Sequence, residues 1–296
     1  IQMTHPPVVH IGYPKAASTY LEAYLTGHPD VHVLRTRLPN LDVPSGPIKL
    51  PDDGKVPVCM NEKTAEGVLA IGQKVVDKRS MFTPGAWDRV ASDVRFDPEE
   101  MARRVGIQVP NARILIVIRN QAEWLDLAYR YFLARLPDHQ RTFEDFCQTP
   151  RGLIYLEAGH YDRTIRAFAE TFGLHNLCVL RFEELRRSPD AFVAQVSGFL
   201  GVDVASKPTG VVNPSSSPLI TRIRQRLPYL ERIPAPIKRM LRRGQGVVQV
   251  KSSTILSAET RSSIDASFAE SNRRTEDLLA RIALESGPSA TRSRTA

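Results

Sequence analysis

Apolar positions follow two periods along this chain, and the pattern predicts an α/β protein. Four short apolar runs read as buried strands, and the run at 113–119 is the clearest of them. Longer stretches with apolar residues three and four apart read as helices, and they alternate with the strands. This alternation predicts a parallel sheet with right-handed crossovers and helices around it. The predicted strands are 8–11, 56–60, 113–119 and 177–180, and the predicted helices are 98–105, 121–134, 161–172 and 189–200.

The chain is long enough for one large domain. Its 296 residues are 42% hydrophobic, which suffices for a sizeable core. We predict a single domain over 1–280, which includes a basic segment at 219–250, and a disordered tail over 281–296. The proline-rich stretch 35–57 predicts a long loop. No apolar run approaches the length of a membrane span, and a leader removed before Ile1 stays open.

The net charge of the chain indicates which kinds of partner to expect. A net charge of +8 favours an anionic ligand, substrate or surface. The basic residues show no interleaved aromatics, so we expect no nucleic acid partner. The three widely spaced cysteines form neither a disulfide framework nor a zinc motif. We expect a cytoplasmic protein whose basic segment 219–243 is a candidate for peripheral contact at the inner membrane surface, and the oligomeric state is left open.

The start of the chain carries the strongest chemical signal. A strand runs into Gly12 and Pro14, which end it, and Ser18 and Thr19 then open a helix. Free N–H groups and the positive end of the helix dipole meet at such a junction, and Lys15 adds a full charge. In the ordinary ATP/GTP loop, lysine stands directly before Ser/Thr, whereas here three positions separate Lys15 from Ser18.

This segment resembles the 5′-phosphosulfate loop of the sulfotransferases, which reads roughly PKxx[ST]T. The resemblance implies a P-loop-like fold with a central parallel sheet of about five strands. It also implies 3′-phosphoadenosine 5′-phosphosulfate (PAPS) as donor and adenosine 3′,5′-bisphosphate (PAP) as product, with no metal. The donor-binding residues that it implies are Pro14, Lys15, Ala16, Ala17, Ser18, Thr19 and Tyr20.

Two later landmarks follow in the family's order. Arg119 ends a strand, as does the family's arginine for the 3′-phosphate, and its planar guanidinium suits a phosphate. The serine that the family carries eight residues later is replaced by Leu127. The segment 178–202 resembles the family's late strand–helix unit, which places an acidic turn beside the phosphate loops. For the adenine end, the resemblance offers Arg242, Arg243 and Gly244.

The same resemblance suggests catalytic groups. Sulfuryl transfer needs a base, a cation at the leaving phosphate oxygen and donors to the sulfonate. Lys15 is our candidate for the cation. Glu62 is the candidate base because the run 61–64 resembles the Glu-Lys-[Ser/Thr] segment of carbohydrate sulfotransferases, and Lys63 would lie beside the sulfonate or Glu62. His139 is the alternative base, because it follows the helix after Arg119 and other members of the family use histidine, and we count it among the candidates for the acceptor side. Tyr161 is a candidate for contact with the acceptor or the sulfonate, whereas His10 is assigned to the core.

The leading hypothesis is therefore a PAPS-dependent O-sulfotransferase whose acceptor hydroxyl is on a glycan or glycolipid. A phenol or a small natural product is an alternative acceptor. An ATP-dependent small-molecule kinase is a weaker alternative, because a basic residue follows the strand where a Mg²⁺ ligand would be acidic. A nucleic-acid-binding module is a third hypothesis, and it predicts binding that falls steeply with salt and ignores nucleotides.

Overall fold

A five-stranded parallel sheet forms the centre of the molecule in the computed structural model, which describes residues 5–34, 46–61, 68–70, 80–86, 94–133, 136, 142–205 and 254–286. This confirms the predicted α/β class and parallel sheet. The strand order is β2-β3-β1-β6-β7, and a separate antiparallel pair is β4-β5. The strands are β1 Val8–His10, β2 Val31–Leu34, β3 Val56–Met60, β4 Val68–Ala70, β5 Val94–Phe96, β6 Arg113–Ile118 and β7 Leu177–Arg181.

Helices flank the sheet, and those predicted at 98–105, 121–134, 161–172 and 189–200 are present with small changes at their ends. Side chains at the caps explain two of the starts, since Asp97 and Asn120 each accept a hydrogen bond from the N–H three residues on. The described helices are α1 Ser18–Thr26, α2 Pro98–Gln108, α3 Gln121–Phe132, α4 Phe143–Cys147, α5 Pro150–Ala158, α6 Tyr161–Phe172, α7 Phe182–Arg187, α8 Pro189–Leu200 and α9 Ala258–Ser286.

The length and the docking of the long helix α9 were not predicted from the sequence. It docks on α6 and α3 through polar contacts: Ser271 and Arg274 both donate to the buried Asp162, and Gln121 donates to Asn272 at 2.6 Å. The helix includes residues 281–286, so the tail predicted from 281 is wrong for these residues. Residues 206–253 and 287–296 lie outside the described part. No described helix is long and apolar enough to cross a membrane.

The strand order reverses direction at one point of the sheet, between β1 and β6. From β1 in the middle, the chain goes to β2 and β3 on one side and afterwards to β6 and β7 on the other. Strands β1 and β6 are neighbours in register, with Val9 opposite Ile114. Ligands of open α/β sheets bind at the carboxyl ends of such strands, where the order reverses. The loop after β1 and Arg119 after β6 both lie there.

Candidate active site

The loop between β1 and α1 has an unusual backbone. Two of its residues lie in the left-handed region although neither is glycine: Lys15 has φ 68° and Ala17 has φ 65°. Each such residue costs about 1–2 kcal/mol, and strained backbone of this kind concentrates at functional sites. The Ala16 N–H closes the turn on the Tyr13 carbonyl oxygen at 3.1 Å. The loop is therefore held in a conformation that its sequence does not favour by itself.

That conformation leaves several backbone donors together. Among the described residues, the N–H groups of Lys15, Ala17 and Ser18 have no acceptor. In the part of the chain that the structure describes, no side chain caps α1, and the first turn of this helix carries no acidic residue. Unpaired N–H groups and the helix dipole attract an anion at this point. The donors are consistent with a bound phosphate or sulfonate group.

Neighbouring elements anchor the loop through its carbonyl oxygens. The Trp124 indole N–H donates to the Pro14 carbonyl at 2.8 Å, and Arg119 Nη1 donates to the Lys15 carbonyl at 3.1 Å. Gly12 lies against the buried His10 ring, where an added Cβ would be 2.2 Å from the ring carbon Cε1. Glycine is therefore required at the entry of the loop for close approach, not for its backbone angles.

The side chain of Lys15 is exposed and lies beside α3. Its Nζ is 4.5 Å from the centroid of the Tyr131 ring, and Tyr131 is 51% exposed. A cation over an aromatic face at this distance gains about 0.5–1 kcal/mol at an exposed site. The ammonium group is thus held near the loop and remains accessible to a ligand.

The guanidinium of Arg119 is buried and engaged. Besides the Lys15 carbonyl, it donates from Nη2 to Glu123 Oε2 at 2.8 Å, and it lies over the Phe182 ring at 4.1 Å. Its Nε is buried with no hydrogen-bond partner among the described residues. Burial opposes the charge of Glu123, but Arg119, with help from Arg186, outweighs it and lowers the pKa of Glu123. Arg119 therefore faces a carboxylate where a phosphate was predicted.

Tyr161 does not occupy the place that the sequence suggested. Its side chain is 2% exposed, and its hydroxyl donates to the Arg119 carbonyl at 2.7 Å. Burial raises its pKa well above the ordinary value. Its ring packs against Tyr13 and Trp124, with centroids 4.8 and 6.1 Å away. A buried ring offers no surface to an acceptor, so the predicted acceptor contact is replaced by support of the Arg119 backbone.

The other residues predicted in the loop divide into donors and spacers. Pro14 lacks an N–H and Ala16 uses its own within the turn, so these two shape the loop. The Ser18 hydroxyl is buried and lies 3.5 Å from the Tyr13 carbonyl oxygen, whereas Thr19 and Tyr20 are partly exposed. Leu127, where the family carries serine, is 6% exposed on α3 and brings no donor.

Several predicted site residues lie outside the described residues, and their roles remain predictions. They belong to the proposed base segment, the alternative histidine and the adenine loop: Glu62, Lys63, His139, Arg242, Arg243 and Gly244.

Sequence reasoning missed the side chains that support the site. Trp124 holds the loop and Arg186 contacts Glu123, and neither stands in a motif. The Arg119–Glu123 pair had no periodic signal, because Arg119 precedes the helix that carries Glu123. The acidic turn predicted beside the phosphate loops is present: Glu183 Oε1 accepts the Asn120 N–H at 3.0 Å.

Comparison with known proteins identifies the fold. No protein-family model matches the chain, and no curated protein matches it. Among solved structures, a sulfotransferase from Alicyclobacillus acidocaldarius is similar with a TM-score of 0.55 and 17% identity, over 94% of this chain and 97% of that one. The chain has the sulfotransferase fold. Mouse sulfotransferase SULT7A1 complexed with PAP gives a TM-score of 0.46 and 14% identity, over 93% of this chain and 87% of that one, and at that score it adds no weight.

Proposed function

We propose that this protein is a PAPS-dependent sulfotransferase that transfers a sulfuryl group to an acceptor hydroxyl. The observation that carries the proposal is the loop after β1. Its strained backbone presents the N–H groups of Lys15, Ala17 and Ser18 at the start of α1, and the exposed Lys15 side chain of the same loop carries a full positive charge over the Tyr131 ring. The sulfotransferase fold supports the same reading.

The residues present fit a donor nucleotide that carries one anionic group at its 5′ position and another at its 3′ position. The loop donors and Lys15 suit a 5′-phosphosulfate. The guanidiniums of Arg119 and Arg186 suit a second phosphate, and the Nε of Arg119 has no partner within the described ranges. When bound, PAPS supplies an activated sulfuryl group, and transfer breaks the bond between sulfur and the 5′-phosphate oxygen. Lys15 then stabilises the charge that develops on that oxygen, and the loop N–H groups hold the phosphate in place.

The acceptor side rests on residues suggested by the sequence. Glu62 is proposed to take the proton of the acceptor hydroxyl, and Lys63 to lie near the sulfonate. A free glutamate has a pKa of about 4.3 and is a weak base, so this role requires a raised pKa. We propose a glycan or glycolipid acceptor, with a phenol or small natural product as the alternative, and a cytoplasmic location at the inner membrane surface.

The test is transfer of radiolabelled sulfuryl from PAPS to a panel of oligosaccharides, glycolipids and phenols, without added metal. The wild-type protein is compared with Lys15→Met. The matched control is Lys55→Met, because Lys55 is exposed and precedes β3 at its amino end, at the opposite edge of the sheet. Loss of one cation that acts on the developing charge costs about 10²–10³ in kcat.

We expect Lys15→Met to lose activity to this extent and Lys55→Met to keep it. Equal activity of both variants would contradict the role of Lys15. Phosphoryl transfer from ATP–Mg²⁺ with no transfer from PAPS would replace the proposal by the kinase alternative.

A further inference from the structure

Two guanidinium groups meet on one carboxylate oxygen beside the phosphate loop. Glu123 Oε2 accepts a hydrogen bond from Arg119 Nη2 at 2.8 Å and from Arg186 Nη1 at 3.2 Å. These two nitrogens therefore lie no more than about 6 Å apart. Two guanidiniums at this separation can contact one phosphate together, because each offers a fork of N–H donors.

The fold brings the two arginines together from neighbouring strands. Arg119 directly follows β6, and Arg186 lies on α7, which directly follows β7. The Arg119 side chain is 6% exposed and is fixed over the Phe182 ring, whereas the Arg186 side chain is 51% exposed. An anion arriving from solvent therefore meets Arg186 first and Arg119 behind it.

One donor that the sequence resemblance implies for a phosphate at Arg119 is missing. The family's serine for the 3′-phosphate is replaced by Leu127, which is nearly buried and has no polar atom in its side chain. Arg119 alone has one N–H group on the Lys15 carbonyl and another on Glu123. The resemblance implies a second donor beside Arg119, and Arg186 is a charged donor that already contacts the same carboxylate as Arg119.

Glu123 shows what kind of ligand the pair accepts. Its lowered pKa keeps it ionised, so a carboxylate already lies between the two guanidiniums. A phosphate carries more charge and more acceptor oxygens than a carboxylate, and it pairs with arginine in the same two-pronged geometry. A phosphate can therefore replace the carboxylate of Glu123 as the partner of both guanidiniums, and neither guanidinium is left unpaired.

We propose that Arg186 is the second binding residue for the 3′-phosphate of the donor nucleotide, in the role left open by Leu127. This rests on the proposed function, because it takes a nucleotide with a 3′-phosphate as the ligand. Glu123 holds the two guanidiniums in position until the nucleotide replaces it.

Calorimetric titration with two nucleotides tests this assignment. PAP and adenosine 5′-monophosphate (AMP) differ only by the 3′-phosphate, so the ratio of their Kd values isolates the contacts to that group. The variant is Arg186→Ala, and the matched control is Arg187→Ala, which removes the same charge from the next, exposed residue of α7. Arg186→Lys keeps the charge without the two-pronged geometry.

Hydrogen bonds to charged groups contribute about 1.5–3 kcal/mol, so Arg186→Ala should weaken PAP binding roughly 10- to 150-fold. AMP binding should stay the same, Arg187→Ala should resemble the wild type, and Arg186→Lys should fall between. If the wild-type protein prefers PAP and Arg186→Ala keeps that preference, the assignment of Arg186 is wrong while the proposed donor stands. If the wild-type protein does not prefer PAP over AMP, the proposed donor fails, and this assignment fails with it.

Discussion

The variant Tyr161→Phe separates the structural role of this tyrosine from the acceptor contact that the sequence suggested. The substitution removes one oxygen atom, which donates a 2.7 Å hydrogen bond to the Arg119 carbonyl. The ring stays, and so do its packing contacts with Tyr13 and Trp124. The change in stability therefore reports on the hydrogen bond and on the carbonyl that it leaves behind.

The buried environment sets the size of the effect. A typical hydrogen bond contributes about 0.5–1.5 kcal/mol net, but a buried acceptor left unsatisfied costs about 1–3 kcal/mol. Tyr161 is 2% exposed, so water does not reach the Arg119 carbonyl from this side. We expect the free energy of unfolding to fall by about 1–3 kcal/mol, measured by urea unfolding followed by circular dichroism.

The control is Tyr131→Phe, which removes a hydroxyl from a ring that is 51% exposed. Water replaces contacts at such a site, so we expect a change within about 0.5 kcal/mol. An unchanged stability of Tyr161→Phe would refute the reasoning. A raised acceptor KM together with unchanged stability would restore the acceptor contact.

Two further predictions concern the entry of the phosphate loop. Gly12→Ala places a Cβ 2.2 Å from the buried His10 ring, so it should cost about 1–3 kcal/mol. Adding His10→Ala should recover part of that loss, and an equal cost of Gly12→Ala in both backgrounds would show that the ring is not the obstacle. Burial lowers the pKa of His10 from 6.5 to about 4. The unfolded chain therefore takes up a proton below pH 6.5 that the folded chain does not take up until about pH 4. As the pH is lowered from 6.5 to about 4, the free energy of unfolding therefore decreases. Urea unfolding of the wild type at about pH 5 should show roughly 2 kcal/mol less stability from this residue than at about pH 7.5. His10→Phe should lose that part of the dependence, and an identical pH profile of the variant would exclude His10 as its source.

Local patterns explain why so much of the fold was predictable. The strand at 113–118 contains a continuous apolar run after Arg113, with every side chain from Ile114 to Val117 fully buried, which is the pattern of a central parallel strand. The helix over 161–172 begins and ends where its apolar period does. The loop after β1 was found because a lysine, two hydroxyl residues and two strand breakers stand together in sequence.

The parts that were not predicted depend on contacts between distant residues. Helix α9 is largely polar, and it is positioned by Asp162 and Gln121, which lie more than a hundred residues earlier. Tyr161 was assigned to the acceptor because an aromatic residue at a helix start has no sequence feature that tells a core ring from an exposed one. A role for Arg186 can be inferred only from its contact with Glu123, which lies on another helix.

The central claim is that the loop after β1 binds a sulfuryl donor nucleotide, and thermal unfolding with nucleotides tests it most directly. The wild-type protein and Lys15→Met are each heated with PAP, with ADP and with ATP–Mg²⁺. A ligand at 100 times its Kd adds about 2.7 kcal/mol to stability. We predict that PAP, without metal, raises the Tm of the wild-type protein by several degrees and well above ADP, and that Lys15→Met responds less. A clear response to ATP–Mg²⁺ with none to PAP would contradict the account.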